Sequence, residues 1–387
     1  MIFLKGSVLK FGGSSLATID KIEHVANIIL KHSVNHEIVV VVSAMMGETD
    51  RLVSLGNQIF DNHHPEREMD QLISNGETIT AALLALAIKK RGRDAVSLTG
   101  WQAGIHTTYH PQNATINSCD TTRIREALDR GQIPVVTGFQ GVSNSDVTTL
   151  GRGGSDLTAI ALSNALKAEL CWIYTDVEGV YNVDPRMVPD AKLIPQMDFE
   201  TLYKIALSGA KVVQFQAAAY AKKMEQAIRV CATHKPGAGT LINAQRVTTP
   251  PLIAYKRGIV LIQATKKGLE ILEERQDQLG IFENLQNEKI VAFEMEETRV
   301  SNLIINERLD EEIIKTDSRW CVISIHYSIS PFVEAMLKKE LKTYFLISND
   351  SIMFLFPEYL LQDQLIKINH LLDFKQIKDK EPVDCKP

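Results

Sequence analysis

Lys10 closes a short apolar run and is followed at once by Phe11-Gly12-Gly13-Ser14-Ser15. A glycine turn between a strand and a helix exposes backbone N–H groups that can cradle an anion, and a lysine at the strand's end adds positive charge beside them. Thr149-Leu150-Gly151-Arg152-Gly153-Gly154-Ser155-Asp156 is a second turn of this kind. Its glycines let backbone approach a ligand, and the planar fork of Arg152 suits a carboxylate. Asp156 would lie in a first helical turn, where the helix dipole favours it without any ligand. A third segment, YTDVEGVYNVDPR at 174–186, follows a strand end, where open α/β sheets bind ligands. Neither GxxxxGKS/T nor GxGxxG occurs, so the P-loop and dinucleotide-fold readings lack support.

The elements that must position these residues alternate along the front of the chain. Residues 7–11, 37–43, 133–137 and 170–175 are apolar and rich in β-branched residues, as strands buried in a parallel sheet would be. Ile19, Ile22, Val25, Ala26 and Ile29 recur at helical spacing, and 155–168 reads as another helix. The alternation predicts an α/β sandwich with a mostly parallel central sheet. Nineteen of the 22 glycines fall before residue 250, which places the chemistry in the front part. Turn signals at 236–239 and 248–251 read as a boundary. Beyond it come strand 258–263, helix 268–279, strands 289–295 and 300–305, strand 320–326, helix 331–340, strands 343–348 and 351–356, and helix 359–372. Two βαββ-like groups in succession predict two small α+β modules. The expected domains are therefore 1–247 and 252–387.

Composition narrows the function classes. The chain has 387 residues, 45% hydrophobic and 23% charged, with a net charge of −5, which offers no cation excess for nucleic acid. No apolar run reaches the length of a spanning helix, the start lacks signal-peptide anatomy, and no membrane role is expected. Five scattered cysteines suggest neither a disulfide framework nor a metal site, and a reducing cytoplasm is the expected location. His106 and His110 sit in a Thr-rich loop without a clear acidic partner, and His63-His64-Pro65 reads as a solvated turn, so no metal ligands are assigned.

At this point the motifs acquire a common order. KFGGSS (10–15), SNGE (74–77), SLTGWQAGI (97–105), PVVTGFQG (134–141), TTLGRGGSD (148–156), YTDVEGVYNVDPR (174–186), SGAKVV (208–213) and PGAGTLI (236–242) resemble, in sequence, the motifs of aspartate kinases of the amino acid kinase superfamily. The resemblance is dense over 7–245. It implies phosphoryl transfer from ATP, with Mg²⁺ on phosphate oxygens and water, to the β-carboxylate of L-aspartate, giving 4-phospho-L-aspartate at the head of the aspartate route to lysine, threonine and methionine. By this resemblance Lys10 meets the transferring phosphate, Gly12, Gly13 and Ser14 form the glycine cradle, and Lys211 is a second nucleotide lysine. Thr175, Asp176, Tyr181 and Arg186 match residues around adenine, ribose and phosphates. Arg152 matches the clamp on a substrate carboxylate, and Glu77 the acid facing the substrate amino group. Thr49, Phe139 and Ser155 match other pocket positions. Asp156 would either orient the lysines or meet the substrate ammonium, and both roles stay open.

The chain also departs from the family pattern. Ser-Ala-Met-Gly-x-Thr-Thr-Asp reads here Ser43-Ala44-Met45-Met46-Gly47-Glu48-Thr49-Asp50, which shifts the glycine and adds Glu48 near an anionic substrate. The usual His-Pro-Arg is Gln214-Phe215-Gln216, expected to pack near the nucleotide lysine. The tail is similar to paired ACT modules in position and βαββ order. Those modules bind lysine or threonine as effectors through glycine-rich loops, which implies an amino-acid effector here. Yet Trp320 to His326 (WCVISIH) replaces the usual Val-Gly-x-Gly-Met. Exposed sheet edges in such modules would favour a homodimer. Two rivals remain: a specialised paralogue acting on another amino-acid carboxylate, and a catalytically weak regulatory subunit.

Overall fold

The structure, a computed structural model, describes residues 4–372 apart from 5, 35, 61–64, 236, 274–277, 284–287, 295–299, 301–302, 306–308, 310, 327–330 and 349. Cys385, the His63-His64 pair and the acidic run at 295–297 lie outside the described residues. The chain divides into two compact units. The first holds Met1–Val180, Leu193–Ala206 and Lys211–Val247; the second holds Tyr181–Lys192, Leu207–Ala210 and Thr248–Pro387. The expected continuous domain at 1–247 thus cedes 181–192 and 207–210 to the second unit.

The first unit is built on an eight-stranded sheet. From one edge to the other the strands are Gln196–Asp198, Thr240–Asn243, Ile228–Ala232, Leu170–Thr175, Gly6–Phe11, Glu37–Val42, Ile133–Thr137 and Ala95–Leu98. Described pairings are parallel except that of Ile228–Ala232 with Thr240–Asn243. Val39, Val40, Val41 and Val42 have no exposed surface, as expected for a strand covered by helices on both faces. Gly6–Phe11 pairs with Glu37–Val42 on one side and Leu170–Thr175 on the other, so strand order reverses around it.

Helix Ile19–His32 buries Ile22, Val25, Ala26 and Ile29 against this sheet. Thr18 caps it, with Asp20 in the first turn and Lys31 and His32 in the last, all in accord with the helix dipole. Ile19, expected on the apolar face, is 55% exposed because it opens the helix beyond the sheet's cover. Helix Gly154–Leu166 is buried on nearly every side, since helix Phe215–Met224 covers the face turned from the sheet. The helical run Glu66–Lys90 is long and apolar enough to cross a membrane by composition. It buries Asp70 and Glu77 and packs in this unit's interior, which is how the core helix of a globular unit behaves.

A smaller four-stranded sheet, absent from the sequence reading, orders Ile116–Cys119, Ile105–Thr107, Gln140–Ser143 and Asp146–Thr149. Its strands have three or four residues each, too few to display a period.

In the second unit, six strands close into a barrel in the order Leu252–Ala264, Lys289–Glu294, Gln278–Glu283, Phe345–Ile347, Ser351–Pro357 and Ile313–His326. Ile259, Leu261, Phe282, Ile290, Ala292, Val322 and Leu355 form one of its apolar clusters. Two corrections follow. Residues 300 and 303–305 are helical rather than a strand, and 278–283 is a strand where the sequence suggested the end of a helix. The two groups share one closed sheet, so their edges are covered within the chain and supply no ground for a homodimer.

Candidate active site

Parallel strands bring loops to one end of the sheet, and here four of them stand side by side. Phe11 pairs with Val42 and Tyr174, and Val42 pairs with Thr137. The segments beginning at Gly12, Ser43, Gly138 and Asp176 therefore leave the sheet together, where its strand order reverses. Ligands of open α/β sheets lie at such a point.

Lys10 is 8% exposed, and its Nζ makes an ion pair of 2.6 Å with Asp156 Oδ1. Asp156 reaches it from the first turn of helix Gly154–Leu166. Of its two open roles, holding Lys10 is the one this geometry displays. Gly12 N–H donates to the carbonyl of Tyr174 at 3.2 Å, and Gly13 opens a short 3-10 turn. A Cβ on Gly13 would lie 2.8 Å from the carbonyl oxygen of Ala44, so only glycine fits between these two loops. Ser15 Oγ and Thr233 Oγ1 hydrogen-bond at 2.6 Å and tie the turn to the end of strand Ile228–Ala232.

Glu77 lies in the first turn of helix Asn75–Lys90 and is 3% exposed. Oε1 accepts from Ala44 N–H at 2.9 Å, while Oε2 is buried without a partner. Burial pushes its carboxyl up to about 7, against the opposing effect of the Ala44 hydrogen bond. Thr137 Oγ1, at the end of its strand, is likewise buried and unpaired. A buried acceptor on Glu77, tied to Ala44 after one strand, and a buried hydroxyl on Thr137 at the end of its neighbour, both without a hydrogen-bond partner among the described residues, mark a place for a polar ligand.

Arg152 is exposed at the tip of its turn. Gly153 has φ +75°, and a Cβ there would lie 2.2 Å from Cβ of Gln214. Gln214 therefore abuts the Arg152 turn, which locates this departure from the family pattern. Ser155 is 7% exposed and packs under Gly138; Phe139, with φ +68°, precedes the four-stranded sheet's Gln140–Ser143. Thr49 stands in the first turn of helix Glu48–Ile59. Glu48 accepts two hydrogen bonds from Arg51, at 2.7 and 2.9 Å, which hold its carboxyl below the usual range. Its charge is thus balanced locally rather than added to the site.

The remaining predicted residues are less tightly gathered. Thr175 donates to Asp176 at 3.0 Å at the exposed end of strand Leu170–Thr175. Lys211 is exposed in the first unit, in the segment before helix Phe215–Met224, with no ion pair to the described residues. Tyr181 and Arg186 belong to the second unit, where Arg186 pairs with Asp184 at 3.0 Å. Sequence reasoning passed over Asp70, which is fully buried beneath the Arg152 turn. No motif flags it, because its partners lie 42 and 79 residues away.

This arrangement is suited to holding two anions: a buried cation, a glycine turn, an arginine and a buried acid converge on one sheet end. Residues 5–232 match the amino acid kinase family. The chain belongs to the amino acid kinase family. Within it, the chain is 48% identical over 240 residues to an aspartokinase of Geobacillus stearothermophilus, covering 62% of this chain and 59% of that protein. It is 48% identical over 237 residues to an aspartokinase of Pseudomonas aeruginosa, covering 61% and 57%. The chain thus aligns with less than two thirds of these relatives' length. Its fold is similar to that of E. coli aspartokinase III crystallised with aspartate and ADP, with TM-score 0.76 and 21% identity over 95% of this chain and 99% of that one. The amino acid kinase fold expected from the sequence is thereby established, followed by one closed C-terminal sheet where two α+β modules were expected.

Proposed function

We propose that this chain transfers the γ-phosphoryl group of ATP to the β-carboxylate of L-aspartate. A carboxylate oxygen attacks the γ-phosphorus, the bond from phosphorus to the bridging oxygen breaks, and ADP leaves with those electrons. The acceptor's carboxyl, with an ordinary pKa of about 4, is already ionised at neutral pH, so no general base is required. The task is to hold mutually repelling anions in line and to neutralise charge on the moving group.

The observation that carries this reading is the buried Lys10–Asp156 pair beside the Gly12-Gly13 turn. Asp156 holds the ammonium of Lys10 in place before substrate arrives, so little reorganisation is needed at reaction. Gly13 and Ser14 would offer backbone donors to phosphate oxygens, while the Gly12 N–H, bonded to the Tyr174 carbonyl, anchors the turn to the sheet. Lys211, Thr175 and Asp176 are assigned to the nucleotide. Mg²⁺ would be held on phosphate oxygens and water, with Asp176 the exposed carboxylate at that strand end, and would offset phosphate charge. Arg152 would grip an acceptor carboxylate, and Glu77 would receive its ammonium group. Thr49, Phe139 and Ser155 would shape the pocket.

The near half-identity to aspartokinases across the first unit supports aspartate over other acceptors. No effector is assigned to the second unit. Trp320–His326, which stands where the family has a glycine-containing segment, lies in a strand as the sequence predicts and is paired on both sides, with Cys321, Val322, Ile323 and Ile325 buried.

The test is an acceptor screen. The protein, ATP and Mg²⁺ are incubated with L-aspartate, L-glutamate, N-acetyl-L-glutamate and other amino acids, and acyl phosphate is trapped as hydroxamate. Hydroxamate with aspartate supports the reading. Hydroxamate only with another acid identifies a paralogue of different specificity.

A further inference from the structure

The acceptor carboxylate must be held to within a fraction of an ångström, yet Arg152 sits on a turn with φ +70° at Gly151 and +75° at Gly153. Glycine turns lack side chains to hold them, so their position is set by what grips the flanking backbone. Below this turn lies Asp70, on helix Glu66–Ile73, with no exposed surface. Its Oδ1 accepts from Thr149 Oγ1 at 2.6 Å, and its Oδ2 from Thr149 N–H at 2.8 Å. Gln112 N–H lies 3.1 and 3.0 Å from the two oxygens.

Both partners lead directly to the turn. Thr149 ends strand Asp146–Thr149, three residues before Arg152. Gln112 supports it from below: a Cβ on Gly151 would meet the Gln112 carbonyl oxygen at 3.3 Å. Thr149 also accepts at its carbonyl from Ala114 N–H at 2.9 Å, which closes the clamp. Among the described residues no Lys, Arg or His pairs with Asp70. A buried carboxylate without a cation is costly, and an apolar residue would fill this space at lower cost if packing alone mattered.

We propose that Asp70 is a positioning residue for the acceptor carboxylate, fixing the Arg152 turn through the backbone at Thr149 and Gln112. This rests on the assignment of Arg152 to the acceptor made above. Asp70 touches no substrate; it acts by limiting where the guanidinium can sit. A misplacement of about 1 Å can cost about 100-fold in a catalysed reaction, so a loosened turn should be visible in kinetics.

The experiment uses the full chain with the acceptor found in the hydroxamate screen and compares Asp70→Asn, Thr149→Val, Arg152→Ala and the Thr149→Val/Arg152→Ala double variant. The expected result is a rise in acceptor KM of about 10-fold for Asp70→Asn and about 3-fold for Thr149→Val, with the ATP KM within about 2-fold. Thr149→Val should add nothing once Arg152 is gone, because the two act as one unit. A purely structural role would lower melting temperature or active fraction and leave acceptor KM alone. Should Asp70→Asn fail to fold, Thr149→Val, which loses one hydrogen bond, decides the matter. An unchanged acceptor KM in Thr149→Val, or an equal effect with and without Arg152, overturns this proposal alone. An unchanged acceptor KM in Arg152→Ala overturns the Arg152 assignment, and this proposal with it.

Discussion

Lys10 Nζ and Asp156 Oδ1 stand 2.6 Å apart, each side chain about nine-tenths buried, with the Gly12 backbone beside them. One residue lies next to the end of a strand and the other in the first turn of a helix 146 positions later, so the pair exists only in the assembled fold. It serves structure and chemistry together, and the two can be separated. Removing one member of a buried ion pair costs about 3–5 kcal/mol, because the other charge is left unpaired. Lys10→Met should therefore lower stability by about 3 kcal/mol and reduce kcat by about 10²–10³ or more. The double variant Lys10→Met/Asp156→Leu should regain most of the stability and none of the activity. Thermal unfolding with hydroxamate assays on the same preparations checks both statements.

Glu77 makes a pH prediction. Its carboxyl is raised by burial from the ordinary 4.5 to about 7, so the folded state holds this proton more tightly than the unfolded state. Its burial is tolerated below about pH 4.5, lowers stability as pH rises from there to about 7, and changes little above that. Glu77→Gln should remove this component from the pH dependence of unfolding. Binding runs the other way, since an ammonium group needs the ionised acid. In wild type, kcat/KM for aspartate should fall as pH drops through about 7, and Glu77→Gln should be low and flat across that range. A bound ammonium draws the pKa back down, so the corresponding limb in kcat should lie at lower pH.

Much of this fold was legible in the sequence because a buried parallel sheet writes its strands as β-branched runs. Residues 37–43 and 133–137 could hardly be read otherwise. The chemistry-bearing turns were legible because glycine, lysine and arginine coincide within a few positions. The four-stranded sheet that carries Arg152 was not, since strands of three or four residues have no period. The Lys10–Asp156 pairing was not legible either, as Asp156 in a first helical turn could equally have met the substrate ammonium. Asp70 escaped because its partners are two backbone N–H groups and one hydroxyl far away in the chain, which form no local pattern of residue types. In the second unit the individual elements near 331–341 and 351–357 were readable, whereas closure of two groups into one barrel was not.

Arg152 should reveal itself through acceptor binding. Arg152→Ala should raise the aspartate KM by about 10- to 100-fold, with a smaller effect on the ATP KM. Arg152→Lys should recover little of this, because a point charge cannot reproduce the two parallel hydrogen bonds of a guanidinium on a carboxylate. Steady-state kinetics with each substrate varied in turn distinguishes clamping of the acceptor from a general loss of activity.

Glu48 gives a contrasting expectation. Its carboxylate is paired with Arg51 on the same helix, so the net charge it offers the site is small. Glu48→Gln should leave the aspartate KM within about 2-fold of wild type, in line with the weak influence of partly exposed, already paired charges. A large fall in the aspartate KM would show instead that Glu48 repels the substrate. The same initial-rate measurements decide it.

Whether the end of strand Gly6–Phe11 gathers two anions around Lys10 can be read from a crystal structure with a non-hydrolysable ATP analogue, Mg²⁺ and L-aspartate. The γ-phosphate should lie against Lys10 and the Gly12-Gly13 turn, with a carboxylate of aspartate on Arg152 and its ammonium at Glu77. A triphosphate bound away from Lys10, or an aspartate that leaves both Arg152 and Glu77 untouched, would contradict this arrangement.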